Sequence, residues 1–257
     1  MPSRHLTLLT GASRGMGAAI AEQLLQPGAT LVCISRTSNA ALAAKAAAAG
    51  ATLEQWALDL AEAEAAARRV EDWLAAQSGA AFDSATLINN AAALTRIAPL
   101  EFLDPQELAR ALRVGLEAPL LLTSAFLRAT SGWRARREGQ CKVLNISSGL
   151  GRSAMASQAA YCAVKAGLDH FSRSVALDQS HAPHPARIVS LAPGVIDTDM
   201  QVQLRAGDPA QFPDLERFQA LKTGGHLDTP AAAAAKVIAY LQRPDFGTQP
   251  VADVRAV

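Results

Sequence analysis

Cysteine is scarce, with Cys33, Cys141 and Cys162 the only three in 257 residues. An odd number at scattered spacings supports neither a disulfide framework nor a zinc site, and it fits a reducing, cytoplasmic setting. Excess charge is lacking too. With 24 Lys and Arg against 23 Asp and Glu, the formal net charge is +1. No global field gathers phosphate backbones or anionic lipid, so nucleic acid and membrane are not expected partners. Long apolar runs are also missing. The most lipid-like stretch, Ala118 to Leu127, contains Thr123 and Ser124 and falls short of the roughly 20 residues that span a bilayer. The first residues, MPSRHLTLLTGAS, reach their first glycine without a long apolar region and do not read as a signal peptide. His181 and His184 sit among prolines in a loop-like stretch that does not preform a metal site, so no metal is expected.

What is present is a generous apolar share, 50% hydrophobic against 18% charged, typical of a globular chain. The length suits one α/β domain over residues 1–257. Short apolar runs at Leu6 to Leu9, Thr30 to Ile34, Thr52 to Leu58, Ala85 to Ile88, Lys142 to Ile146 and Ala186 to Leu191 read as strands, with a seventh at Gln249 to Val254. Helix-compatible segments alternate with them: Gly15 to Leu25, Ala40 to Ala49, Glu62 to Ser78, Asp104 to Thr130, Ser157 to His181 and Pro230 to Arg243. This alternation predicts a doubly wound α/β fold, a parallel sheet of about seven strands with helices on both faces. A less regular segment, about 195–229, precedes the last helix and strand. Gly207, Pro209, Pro213, Gly224 and Gly225 interrupt its second half, which gives it hinge points over a substrate.

The first strand runs straight into Thr10-Gly11-Ala12-Ser13-Arg14-Gly15-Met16-Gly17 and then a helix. Glycines there permit a tight turn and close approach, while the amide hydrogens at the helix start can hold a pyrophosphate. A glycine-rich turn that binds nothing is the alternative. At the end of the second strand, where an NAD-specific site offers an acid to the ribose hydroxyls, the chain has Ser35-Arg36-Thr37. Arg36 can pair with a 2′-phosphate, and Arg14 can approach the same group. NADP(H) is therefore the expected cofactor, against the alternative of a solvated surface arginine.

Tyr161 and Lys165 stand at i and i+4 of a helix and so project from one face. A neighbouring ammonium together with an oxidised nicotinamide is expected to lower the phenol pKa and let Tyr161 shuttle protons. Alone, this pair occurs in many amphipathic helices. In company it is specific. The glycine turn, Asn89-Asn90-Ala91 after the fourth strand, Ser148 thirteen residues before Tyr161, Lys165, and Pro193-Gly194 after the sixth strand together resemble the short-chain dehydrogenase/reductase family. The resemblance runs from about Leu6 to Gly194 and implies a Rossmann-type fold. It also implies roles. Tyr161 exchanges the proton, Ser148 hydrogen-bonds the substrate oxygen, and Lys165 holds the ribose hydroxyls of the cofactor. Gly11, Ser13, Arg14, Gly15, Met16 and Gly17 cradle the phosphates, with Arg36 and Thr37 at the ribose. Asp59 and Leu60 border adenine, Asn90 and Ala91 line the cofactor, and Pro193, Gly194, Ile196, Thr198 and Met200 surround the nicotinamide, Gly194 also facing substrate. For Asp59 and Asn90, turn capping is an equally good reading. Cys162 reads as inert packing, and Asp197 and Asp199 as caps of the next helix.

Two positions depart from the family pattern. Ala92 replaces a usual glycine, and Gly115 replaces an Asn that supports a water linking the lysine to solvent through a distorted helix. Glycine can still distort the helix and offer its carbonyl, so a slowed proton relay is expected, one that Gly115→Asn leaves unchanged or speeds up. The rival reading is a sensor or structural protein that binds NADPH with little turnover. Within the family, residues 191–201 and 244–253 look most like sepiapterin reductases and related bacterial diketone (benzil) reductases. The likeness points to a pterin side-chain ketone or a 1,2-dicarbonyl as substrate, with Asp253 placed to pair with a guanidine-like edge or else simply a surface aspartate. The helices from Asp104 and through Tyr161 resemble the pair that builds a homodimer, often extended to a homotetramer. Replacing Arg36 with Asp is expected to raise the KM for NADPH far more than that for NADH. Parallel steady-state kinetics with both cofactors test this, and an unchanged ratio refutes the cofactor assignment.

Overall fold

The computed structural model describes residues 4–135 and 141–256. Strand and helix alternate as β1 (His5–Thr10), α1 (Gly15–Leu24), β2 (Thr30–Ser35), α2 (Ala40–Ala49), β3 (Thr52–Ala57), α3 (Ala63–Ala76) and β4 (Ser84–Asn89). Then come α4 (Pro105–Leu112), a π turn (Arg113–Glu117), α5 (Ala118–Ala129), α6 (Ser131–Arg134), β5 (Cys141–Ile146), α7 (Ala159–Ser180) and β6 (Arg187–Ala192). The chain closes with α8 (Asp199–Arg205), α9 (Leu215–Thr223), α10 (Pro230–Gln242) and β7 (Val251–Asp253). The strands form one sheet in the order β3-β2-β1-β4-β5-β6-β7, with every neighbouring pair parallel. Parallel neighbours need crossovers rather than hairpins, so the helices fall on the two faces.

The period-2 alternation decides which side chains meet which helices. Leu6, Leu8, Val32, Ile34, Leu87 and Val143 pack on one face against Val70 and Leu74 of α3 and Leu122 and Phe126 of α5. Leu9, Leu31, Cys33, Ile88, Leu144 and Val189 point the other way, against Ile20 of α1 and Val237 and Leu241 of α10. A third apolar cluster, Ile97, Leu204, Phe212, Leu215 and Phe218, seats α8 and α9 on the loop after β4. Asp104 starts α4 as its sequence predicts, its Oδ1 accepting from the Gln106 amide at 2.6 Å with Pro105 in the first turn.

Two expectations need correction. The helix expected from Asp104 to Thr130 is interrupted by the π turn, where the Ala118 amide donates to the Arg113 carbonyl. Residue 119 is Pro and has no N–H, so the Gly115 carbonyl has lost its ordinary α-helical donor. Asp197 and Asp199 do not cap α8, whose cap position is Thr198 without a side-chain bond. Both acids sit closer to cations: Asp197 pairs with Lys222 at 2.6 Å and Asp199 with Arg14 at 2.5 Å.

Phe126 is fully buried between sheet and α3, so Phe126→Ala should cost about 3–5 kcal/mol of unfolding free energy. The exposed Val202 of α8 supplies a control, since Val202→Ala should stay within about 0.5 kcal/mol. Urea denaturation of both variants checks the contrast.

Candidate active site

Because the strands are parallel, their carboxyl ends share one edge, and nearly every position singled out in the sequence lies there. The glycine turn follows β1, Arg36 and Thr37 follow β2, Asp59 and Leu60 follow β3, and Asn90 and Ala91 follow β4. Ser148 follows β5, Pro193 and Gly194 follow β6, and Asp253 ends β7. The strand order reverses between β1 and β4, which opens a crevice at this edge.

The glycine turn is shaped by contacts that exclude side chains. Gly11 has φ +72°, and a Cβ there would lie 2.9 Å from Asn90 Nδ2; at Gly17 a Cβ would lie 2.1 Å from the Gly11 carbonyl oxygen. Asn90 Nδ2 donates to the carbonyls of Thr10 and Gly11 at 3.0 and 3.2 Å. Thr10 Oγ1 in return accepts the Asn90 and Ala91 amides, and Ser35 Oγ accepts the Ala12 amide at 2.9 Å. Asn90 is thus a strut of the turn, and Thr10 and Ser35 are struts that the motif reading left without a role. The first turn of α1 carries no acidic residue and no side-chain cap, so its amide hydrogens remain for an anion. Gly15 is exposed, and its nearest would-be neighbour is Thr198 Cγ2 at 3.8 Å. This cradle fits a pyrophosphate.

The flanking positions differ in what they have free to offer. Arg36 and Thr37 are exposed, and among the described residues Arg36 has no hydrogen-bond or ion-pair partner. Arg14 is tied to Asp199. Asp59 accepts from the Ala61 amide and from Arg110, which together hold its carboxyl below the usual range, and Leu60 is a core residue. Ile196 and Asp228 bridge the segment after β6 to the approach of α10. Met200 packs against the Phe212 cluster. Ala92 is exposed. Among the described residues no group of three or more His, Cys, Asp or Glu is placed to hold a metal ion. Cys162 is partly buried, with Sγ 4.0 Å from the Ser153 carbonyl oxygen.

Tyr161, Ser148 and Lys165 do meet. Ser148 pulls the Tyr161 phenol pKa down, and its hydroxyl accepts from the Leu150 amide at 3.2 Å. Lys165 Nζ lies 5.6 Å from the Tyr161 ring centre and donates to the Ile146 carbonyl at 2.7 Å. Burial pushes the phenol up to about 12, outweighing the opposite pull of Ser148. Burial drives Lys165 down to about 8, against the upward pull of Asp169. The phenol is a firmly protonated donor beside an ammonium that titrates near neutrality. Asp253 is engaged as well: Arg255 Nε and NH2 donate to its two oxygens at 2.9 and 2.6 Å, and Arg152 stands 3.9 Å away. Its guanidine-binding edge is filled by the chain's own Arg255. Beneath the site, Asn89, Asn145 and Ser172 form a buried hydrogen-bonded run, for which local sequence pattern gives no signal.

Gly115 meets α7 at close range, since a Cβ there would lie 2.6 Å from Val164 Cγ1. Gly115→Asn alone therefore drives a side chain into the helix that carries Tyr161 and Lys165. A loss of activity in that variant reports steric displacement and not the proton relay. The informative variant is Gly115→Asn with Val164→Ala. The single change should lower the melting temperature, and the double change should recover at least half of that loss, as differential scanning fluorimetry measures. Equal destabilisation in both would refute the contact.

Comparison with known proteins agrees with this geometry. The sequence pattern described as short chain dehydrogenase matches residues 5–209. The benzil reductase ((S)-benzoin forming) of Bacillus cereus is 34% identical over 93% of this chain and 94% of its own. The sepiapterin reductase of Xenopus tropicalis is 34% identical over 83% of this chain and 81% of its own. A crystal structure of 3-oxoacyl-[acyl-carrier protein] reductase from Brucella melitensis in complex with NAD superposes with a TM-score of 0.80, covering 99% of this chain and 96% of its own at 24% identity. The chain belongs to the short chain dehydrogenase family and is an oxidoreductase of that family.

Proposed function

We propose that the protein is an NADPH-dependent carbonyl reductase in which Tyr161 is the proton donor. The observation that carries this reading is the Tyr161 phenol, with the buried Lys165 Nζ 5.6 Å from its ring centre and Ser148 acting on it, at the strand edge where the glycine turn lies. When bound, the dinucleotide supplies the hydride for the carbonyl carbon. As negative charge grows on the substrate oxygen, the Ser148 hydroxyl donates a hydrogen bond to it. The Tyr161 O–H then transfers its proton, leaving an alcohol and a phenolate. The Lys165 ammonium offsets that phenolate and is placed to hold the cofactor ribose. The Gly115 carbonyl, with no N–H at residue 119, is an acceptor for water on the path that returns a proton from solvent.

The choice of NADPH rests on Arg36, exposed after β2 and without a hydrogen-bond or ion-pair partner among the described residues, with no acid in the ribose position. Arg14 joins it only by leaving Asp199. For the substrate, the Asp253–Arg255 pair favours an apolar 1,2-dicarbonyl over a pterin, because the carboxylate a guanidine-like edge would need already binds a guanidinium. The apolar cluster of Ile97, Met155, Met200 and Leu204 beside the site suits the same class. A cofactor sensor without turnover has less support, since the π turn keeps the helix distorted at Gly115. A homodimer or homotetramer in the cytoplasm completes the proposal, with Leu112 of α4 and Leu177 of α7 exposed on the helices expected to pair.

NADPH oxidation at 340 nm with benzil, simpler diketones, aldehydes and sepiapterin tests the reading, with NADH as control. A dicarbonyl should be reduced fastest and with NADPH. Tyr161→Phe should lower kcat by at least about 100-fold, the scale of one general acid, while NADPH still binds. The free-enzyme pH profile has a defined sign. Lys165 is charged below about 8 and neutral above it, and Tyr161 keeps its proton to about 12. Reductive kcat/KM should therefore be level at lower pH and fall as pH rises through about 8.

A further inference from the structure

Asp169 is the most deeply buried carboxylate near the site, 1% exposed, and the reaction scheme above gives it no part. It lies one turn beyond Lys165 on α7, on the same face. Its Oδ1 accepts from Ser147 Oγ at 2.5 Å and from Ser190 Oγ of β6 at 2.7 Å. Ser147 is the link between Ile146, whose carbonyl receives Lys165 Nζ, and Ser148. The other oxygen, Oδ2, is buried without a hydrogen bond and faces Arg152 Nε at 3.7 Å. Arg152 in turn reaches the Ser148 carbonyl at 3.4 Å and the Ala252 carbonyl at 3.3 Å. Space for this arrangement depends on Gly151, where a Cβ would lie 2.9 Å from both Asp169 Oδ2 and the Lys165 carbonyl oxygen.

A carboxylate taken this far out of water is costly unless charge and hydrogen bonds compensate it. Two hydroxyl donors on one oxygen, a guanidinium on the other and an ammonium one turn away provide that compensation. We propose that Asp169 is a positioning residue: through Ser147 and Arg152 it fixes the main chain that presents Ser148 and the Ile146 carbonyl, and it supplies the negative charge opposite the Lys165 ammonium. The proposal rests on the reading of Ser148, Tyr161 and Lys165 as the reacting set. The groups that face Lys165 agree with it. From α7 these are Tyr161 and Asp169, and from β5 the uncharged Ile146 carbonyl. Of the charged groups, Asp169 is the one that pulls the Lys165 equilibrium towards the ammonium.

The test reads Lys165 directly. The chain has five lysines, so 13Cε-lysine labelling gives a sparse NMR spectrum in which Lys165→Arg assigns the signal. Asp169→Asn keeps an oxygen for both serines and removes the charge. In the protein without cofactor or substrate, it should move the Lys165 midpoint down from about 8 by about one pH unit, the scale of losing a nearby opposite charge. The alkaline fall in kcat/KM should shift with it. Asp169→Asn with Arg152→Gln removes the apposition of an amide and a guanidinium, and should show the same downward shift. A Lys165 midpoint unchanged in either folded variant would overturn the proposal, as would a wild-type midpoint below 7. Lower kcat at every pH without a shifted midpoint would show a merely structural role and overturn it as well. Because the NMR titration needs no turnover, wild-type protein that reduces no carbonyl would count against the proposed reaction and leave the Asp169 result standing.

Discussion

Parallel pairing is the constraint from which the rest of the molecule follows. A sheet whose strands all run one way sends each strand end to the same edge and must return the chain through a helix each time. Seven strand ends then deliver the glycine turn, Asn90, Ser148, Pro193 and Asp253 to neighbouring places. Residues far apart in sequence become neighbours without any special interaction drawing them together. The reversal of strand order between β1 and β4 adds the crevice, and α7 brings Tyr161 and Lys165 to its rim.

Polar groups at that edge are stabilised in layers. The outermost, such as Arg36, remain solvated and available. The next support backbone: Thr10 and Ser35 hold the glycine turn, and Asn90 ties it to β4. The deepest, Asn89 with Asn145 and Asp169 with Ser190, are hydrogen-bonded in pairs between strands and α7, while Asn89 Oδ1 and Asp169 Oδ2 have no hydrogen-bond partner. A change at depth moves everything above it, because packed interiors transmit displacement. Lys165 occupies the boundary, 4% exposed yet bonded to a main-chain oxygen of β5. This explains an ammonium whose proton is held less firmly than that of an ordinary lysine.

The strands were legible because short apolar runs such as Leu6 to Leu9 and Thr30 to Ile34, buried on both faces, recur between helix-compatible segments. The turn was legible because glycine at Gly11 and Gly17 leaves room that no other residue leaves. Other features were not, and each depends on partners that local pattern does not name. Arg14 finds Asp199 at a separation of 185 residues, so nothing near either one marks the pair. The burial that pushes the Tyr161 phenol up comes from packing around α7, which the spacing of Tyr161 and Lys165 does not show. Asp253 met Arg255 only two residues away, a pairing that the sequence offered and the motif reading passed over. The π turn had half a signal in Pro119, whose missing N–H was there to be read.

The closeness of Gly115 to Val164 has a consequence for how this chain can change over generations. The two positions share one volume, so neither is free to vary by itself. A larger residue at 115 is admissible only after 164 has become smaller, while the opposite order passes through a strained intermediate. A lineage that acquired this pair is thereby held to it by the route back as much as by the merit of either residue. The glycine in the π turn is better regarded as half of a two-site unit than as a lost asparagine.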